Sequence, residues 1–357
     1  MKIALINTIR PQDGSRDGIT EYTYQIYERF RKNHTVDLVY VTDKSKRLDN
    51  IALLYANTLF KLKVQNLINK DYDIIHITNQ ELGFAAKILK KSRTKAKVIT
   101  SIHDLMRMHI NPYADLTQKM YNKLIAGSIL NCFKYSDCII FSASTVQKDA
   151  NRMFSGMFKN SITTLLGPSE EFRITKISKK ARRKDFIIGY VGALAPWKNP
   201  IFVLRTANML KNDSSYKFRM YGNGPEEDTL NAYKSEHKLD NIEINGFPLQ
   251  SKFLGMYDSF DLFLYPTTEE GSSLPVINAQ CRGLPVVIYK GNKVDVEVTK
   301  YCFVARDEAE AASIIKRIRE KGFDPKHRRT MLNYIRSFSW DRVTKETIAV
   351  YKKALAR

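Results

Sequence analysis

Two doubly wound α/β domains in tandem, each a parallel sheet covered by helices, are the architecture this sequence predicts. Three observations predict it. Short apolar strands such as Ile3–Ile6, Asp73–Ile77 and Lys97–Ile102 alternate with helical stretches, the pattern of a parallel sheet buried on both faces. The alternation breaks once, at the basic and aperiodic run Lys176–Lys184, and then restarts. A length of 357 residues suits two cores of ordinary size better than one. The expected domains are residues 1–180 and 181–340, with a terminal helix over 341–357 joining the first.

Taken in order, the first half reads as strands at Ile3–Ile6, Val36–Thr42, Asp73–Ile77, Lys97–Ile102 and Asp137–Phe141. Helices are expected at Ile19–Phe30, roughly Asn50–Asn69, Leu82–Lys91 and Asp115–Tyr135. The second half reads as strands at Phe186–Val191, Lys217–Tyr221, Ile242–Gly246, Asp261–Pro266 and Val286–Tyr289. Its helices are expected at Pro200–Lys211, Pro225–His237, Lys252–Tyr257, a short stretch from Pro275, Ala309–Glu320 and Asp341–Ala356.

Charge is the unusual part of the composition. The chain carries 58 Lys and Arg against 37 Asp and Glu, a net +21. Residues 1–184 hold 32 basic and 16 acidic side chains (+16), leaving 26 and 21 (+5) for residues 185–357. The excess in the first half suits an anionic partner there: a membrane surface, a lipid phosphate or, less well, a nucleic acid, since no stacking aromatics are spaced among the cations. Solubility alone is the plainer explanation. Cys132, Cys138, Cys281 and Cys302 lie in apolar settings without metal or redox spacing and read as buried reduced thiols. The first residues form a β pattern rather than a signal peptide, and no apolar run reaches the roughly 20 residues of a spanning helix. A cytoplasmic protein, soluble or peripheral at the membrane face, is expected.

The stretch Glu269–Val287 follows an apolar strand closed by Pro266. It brings two carboxylates, a small-residue turn, Pro275 in the first turn of a helix, and Gly283 with Pro285 to end that helix. Such a strand–turn–helix unit aims free helix N–H groups at an anion off the strand end. Around it stand Ile188–Asn199, the turn Met220–Glu226, Asn245–Pro248, Tyr257–Pro266 and Phe338–Asp341. In order and spacing these segments resemble the large family of retaining GT-B glycosyltransferases, family 4. The Val-Gly…Lys, Gly-x-Gly-Pro and Glu-Gly-x-x-Leu-Pro motifs carry the likeness. The first half resembles it more loosely, through Asp73–His76, Ser101–Leu105 and the Gly18 loop.

The resemblance implies two Rossmann-like domains facing a cleft, with a nucleotide-sugar donor, UDP- or GDP-type, on the second domain and the acceptor on the first. It implies transfer with retention and no metal or other cofactor. Lys198 would neutralise the diphosphate and Glu270 would contact the donor sugar. Amides at Ser272, Ser273 and Leu274 would hold phosphate or sugar, Phe247 and Pro248 would border the base, and Asn278 would meet the ribose. His103, with Asp104 beside it, would stand at the reaction centre, and Gly18 would shape a substrate loop. Three positions depart from the pattern. Ala193 replaces an arginine that pairs with the lysine, Asn278 replaces the second glutamate, and Ser272-Ser273 replaces Phe-Gly. Arg205 and Arg282 are the candidates to supply the missing cation.

Plainer roles stand beside these. Lys198 could be a solvated helix-start lysine, His103 a structural histidine and Gly18 a simple turn. Glu269 could take the place of Glu270, although spacing to Leu274-Pro275 favours Glu270. His76, inside a strand, reads as core. Asp71-Tyr72-Asp73 imitates a metal motif but precedes its strand, so it is not read as a metal site. Gly222-Asn223-Gly224 lacks the third glycine of a dinucleotide fingerprint. No zinc spacing or Gly-x-Ser-x-Gly elbow occurs. The apolar and basic stretch 48–70 and the six cations of Lys87–Lys97 suggest a lipid-linked or membrane-bound glycan acceptor. The competing class is a non-catalytic module binding nucleotide or an anionic surface; a nucleic-acid or protein acceptor is a further alternative.

Overall fold

The computed structural model describes residues 1–10, 18–42, 60–105, 116–158, 160–173 and 184–357. Residues 48–59 of the stretch 48–70 and most of the basic run Lys176–Lys184 lie outside the described residues. The chain divides into two compact units, Met1–Leu166 with Trp340–Arg357, and Gly167–Ser339.

The first unit is built on β1 (Lys2–Ile9), β2 (Thr35–Thr42), β3 (Ile74–Ile77), β4 (Lys97–Ile102), β5 (Cys138–Phe141) and β6 (Ser161–Thr163). They form one parallel sheet in the order β2-β1-β3-β4-β5-β6. Its central strands are continuous apolar runs because helices cover both faces, so every residue of β3 is buried. Phe60, Val64 and Leu67 pack with Ala85, Ala86 and Leu89 in one core cluster; Ile125, Ile129 and Phe133 pack with Val146 and Ala150 in another. The terminal helix Trp340–Leu355 belongs to this unit and sets Trp340 and Tyr351 against Tyr22 and Phe30 of the helix Gly18–Phe30.

The second unit repeats the plan with β7 (Phe186–Val191), β8 (Tyr216–Tyr221), β9 (Ile242–Asn245), β10 (Leu262–Tyr265), β11 (Val286–Tyr289) and β12 (Phe303–Ala305). The order is β12-β11-β10-β7-β8-β9, again parallel. Gly189 is required inside β7, because a Cβ there would meet the Phe260 ring at 2.3 Å. The two six-stranded sheets with flanking helices are the α/β architecture expected from the sequence.

Two edge strands and two helices are among the elements that escape the sequence reading. Edge strands β6 and β12 are three residues each, too short to show a period. The helices Ser144–Met153 and Pro325–Ile335 are mostly polar, each burying only two residues. Asp73, of the discounted Asp71-Tyr72-Asp73 triplet, receives the Lys2 amide at 2.7 Å, and Tyr72 donates to Asp37 at 2.5 Å. Both contacts tie the N-terminal strand ends together.

Candidate active site

In the second unit the loops after β7, β8 and β10 are laced by main-chain bonds. Gly192 donates to the Tyr221 carbonyl at 3.0 Å, Gly222 to the Asn245 carbonyl at 2.8 Å, and Leu194 to the Asn223 carbonyl at 3.0 Å. Gly222 must be glycine, since a Cβ would lie 1.9 Å from the Gly192 oxygen. Asn199, in the left-handed conformation with φ 50°, turns the chain from the short 3-10 turn Pro196–Lys198 into the helix Pro200–Leu210.

One carbonyl joins the two functional loops. The Trp197 oxygen accepts from the Thr268 amide (2.9 Å), the Thr267 hydroxyl (3.0 Å) and the Thr268 hydroxyl (3.1 Å). This clamps the segment after β10 beside Lys198, whose ammonium forms an ion pair with the Glu270 carboxylate. Tyr265, the last residue of β10, donates its hydroxyl to the same Glu270 oxygen at 2.8 Å. Its ring centroid stands 5.6 Å from the Lys198 nitrogen. The side chains of Lys198 and Glu270 keep 15% and 16% exposure, enough for a ligand to reach them. Burial, reinforced by the adjacent Glu270 carboxylate, drives the Tyr265 phenol well above its ordinary range, so the phenol stays a donor.

The two glutamates separate cleanly. Glu270 faces Lys198, whereas Glu269 turns to Lys293 at 2.5 Å. Ser273 caps the helix Leu274–Cys281 in an extended conformation with its hydroxyl buried, and the amides of Leu274 and Val276 begin that helix. Phe247 donates its amide to Asn223 at 3.4 Å; it and Pro248 are half-buried just beyond β9. Asn278, on the helix Leu274–Cys281, is buried, and its Oδ1 accepts from the Ser169 amide at 3.2 Å, fastening the segment that enters this unit. Neither arginine candidate stands in for Ala193. Arg282 holds Asp258 through two bonds of 2.6 and 3.0 Å, and Arg205 reaches toward Glu308 at 3.5 Å.

In the first unit His103 follows β4 and is buried. Its Nε2 donates to the Thr78 carbonyl at 2.9 Å, which puts the proton of the neutral ring on that nitrogen. Gln80, unmarked in the sequence, braces both neighbours: its Oε1 receives the His103 amide at 3.3 Å and its Nε2 donates to Asp104 at 3.3 Å. Tyr22 packs edge-on to His103 with centroids 4.9 Å apart. Gly18 opens the helix Gly18–Phe30. His76 is core, as read: fully buried, it contacts the Tyr351 hydroxyl (2.6 Å) and the Ser101 hydroxyl (2.8 Å). Burial, aided by His103, lowers its pKa to about 3.

Residues 172–338 match the model of the glycosyl transferases group 1 family. Among curated proteins none matches the sequence. Solved structures do match over nearly the full length. HepE of Anabaena, in complex with UDP and glucose, has TM-score 0.70 at 14% identity over 99% of both chains. The sucrose-phosphate synthase of Thermosynechococcus elongatus has TM-score 0.73 at 17% identity over 99% of both chains. A glycosyltransferase from Rickettsia africae has TM-score 0.70 at 13% identity over 99% of this chain and 98% of that one. The chain therefore has the GT-B fold of glycosyltransferases. The stretch matched by the group 1 model lies within its second unit.

Proposed function

We propose that this protein is a glycosyltransferase that takes a nucleotide-sugar donor on Gly167–Ser339. The observation that carries the reading is the Lys198–Glu270–Tyr265 cluster, clamped by the Trp197 carbonyl inside the stretch matched by the group 1 family. Charge grows on the departing diphosphate as the sugar bond breaks, and a fixed ammonium together with helix N–H groups favours that state most. Lys198 supplies the ammonium; the start of the helix Leu274–Cys281 supplies amides. Glu270, oriented by Tyr265, accepts from hydroxyls of the donor sugar. Phe247 and Pro248 border the base. His103, with Nε2 committed to Thr78, contributes at the reacting sugar. Retention at the anomeric carbon and independence from metal extend the same reading. A glycan acceptor, lipid-linked at a membrane surface, accords with the basic first half.

The second reading is a nucleotide-binding module without turnover. Ala193 favours it, because Arg205 and Arg282 pair with Glu308 and Asp258, and among the described residues no arginine is paired into the Lys198–Glu270 cluster. A donor panel separates the two. HepE crystallised with UDP-glucose makes that sugar nucleotide a natural first choice, followed by GDP-linked and other donors. Release of nucleoside diphosphate that Lys198→Ala and Glu270→Ala abolish supports the transferase. Nucleotide-induced thermal stabilisation without release on any donor supports the module. Release that ignores both substitutions overturns the site.

A further inference from the structure

The N-terminal ends of β4, β5 and β6, opposite to the end that carries His103, surround a concavity in the first unit. Its volume is about 270 Å³, and the end of the terminal helix Trp340–Leu355 completes its wall. That volume lies near the lower edge of the roughly 300–1,000 Å³ of small-molecule sites, right for a compact ion rather than a large cofactor.

Its lining is cationic. Lys97, Lys353 and Arg357 line the cavity beside one carboxylate, Asp137. That carboxylate is already satisfied: its Oδ2 accepts from the Val98 amide at 2.7 Å and pairs with Lys90 at 2.6 Å. Lys97 and Lys353 have no acidic partner among the described residues. Three converging cations without matching anions are unfavourable unless an anion joins them.

The neutral side chains are arranged to help. Asn160 Oδ1 receives the Arg357 guanidinium while its Nδ2 donates to the Asp137 carbonyl at 3.2 Å, so Arg357 is held at the rim. Ser161 Oγ accepts from Gln147 at 3.0 Å, which leaves its proton to donate into the cavity. A guanidinium, two ammonium groups and a hydroxyl around one small space suit a tetrahedral oxyanion of charge −2 or more. Cys138, also in the lining, marks the place: burial raises its thiol, while Arg357 and Lys353 pull against that shift.

We propose that this cavity is a binding site for a phosphate-bearing anion, held by Lys97, Lys353 and Arg357 and separate from the donor site on the second unit. The source of the phosphate is either a free phosphate compound or the headgroup of an anionic lipid.

The test uses the full chain carrying Lys198→Ala, so that pyrophosphate at the donor cluster does not obscure the result. Pyrophosphate is titrated by calorimetry into this protein and into the same protein with Lys353→Glu and Arg357→Glu. Alkylation of Cys138 by iodoacetamide, mapped by mass spectrometry, locates the binding. The expected result is at least a 10-fold loss of pyrophosphate affinity on charge reversal. Pyrophosphate should also slow Cys138 labelling several-fold beyond sodium chloride at equal ionic strength. A parallel arm uses phosphatidic acid vesicles against phosphatidylcholine vesicles; protection by phosphatidic acid alone assigns the phosphate to a lipid and still supports the site. Equal affinity after charge reversal overturns the proposal. So does protection matched by chloride, or no protection from either pyrophosphate or phosphatidic acid. None of these outcomes depends on whether the protein transfers sugar.

Discussion

Around β3 and β4 of the first unit, Tyr22, Ser101, His76 and Tyr351 form a buried chain of neutral groups. Tyr22 meets Ser101 at 3.0 Å, Ser101 meets His76 at 2.8 Å, and His76 meets Tyr351 at 2.6 Å. Around β7 and β10 of the second unit, Lys198, Tyr265 and Glu270 form an equally dense cluster, but two of its members are charged and partly exposed. The first arrangement satisfies its members fully inside the protein, so its output is stability and the placement of nearby His103. The second leaves an ammonium and a carboxylate within reach of solvent, which suits the binding role proposed for it. Burial decides which kind a cluster becomes, since an unpaired charge is costly inside and tolerable at a 15% exposed rim.

That contrast can be broken from either side. The largest expected effect is on turnover: Lys198→Ala should lower kcat/KM by about 10²–10³, or roughly 2.7–4 kcal/mol, the usual range for loss of one donor to developing negative charge. Steady-state nucleotide release measures it, with the melting temperature close to wild type. In the first unit His76→Leu should act on stability instead. It strands the Tyr351 hydroxyl, at about 1–3 kcal/mol, and takes one of the two partners of the Ser101 hydroxyl, which keeps Tyr22, as read from the urea midpoint at pH 7.

The same substitution tests a pH effect. The unfolded chain binds a proton at His76 near 6.5, and the folded chain resists it to about 3. The unfolded state therefore holds more protons across that window, and stability falls as pH drops through it, by at most about 1.4 kcal/mol per pH unit from this group. In His76→Leu the difference between melts at pH 7 and pH 5 should shrink by that contribution. A smaller change is expected from Tyr265→Phe, which removes one hydrogen bond to the Glu270 carboxylate and should cost roughly 1.5–3 kcal/mol of transition-state binding. The smallest is expected from Glu269→Ala. Its partly exposed pair with Lys293 contributes about 0–1 kcal/mol, so turnover should stay within a few-fold of wild type.

Much of this was legible from residue order. Strand and helix alternation reveals both sheets, and the spacing from Glu270 to Leu274-Pro275 separates it from Glu269, whose side chain turns to Lys293. His76 reads as core from its place within an apolar strand. Other features leave no mark in the sequence. The Trp197 clamp is a main-chain oxygen, which any residue would provide. Gln80 serves His103 and Asp104 from a short 3-10 turn over twenty residues away in sequence. Tyr265 carried a signal that passed unused: a polar tip ending an apolar strand, directly before the proline that opens the site loop. The engagement of Asn278 with Ser169, and of Arg282 with Asp258, depends on long-range packing that spacing cannot express.

Lys198, not the general positive charge of the chain, is proposed to hold the donor's diphosphate. Calorimetric titration with the nucleoside diphosphate of the best donor tests it most directly, comparing wild type, Lys198→Ala and Glu269→Ala at fixed ionic strength. Binding should be weakened about 10- to 100-fold by Lys198→Ala, the scale of one charge-assisted contact, and unchanged in Glu269→Ala. Equal affinity in wild type and Lys198→Ala would contradict it.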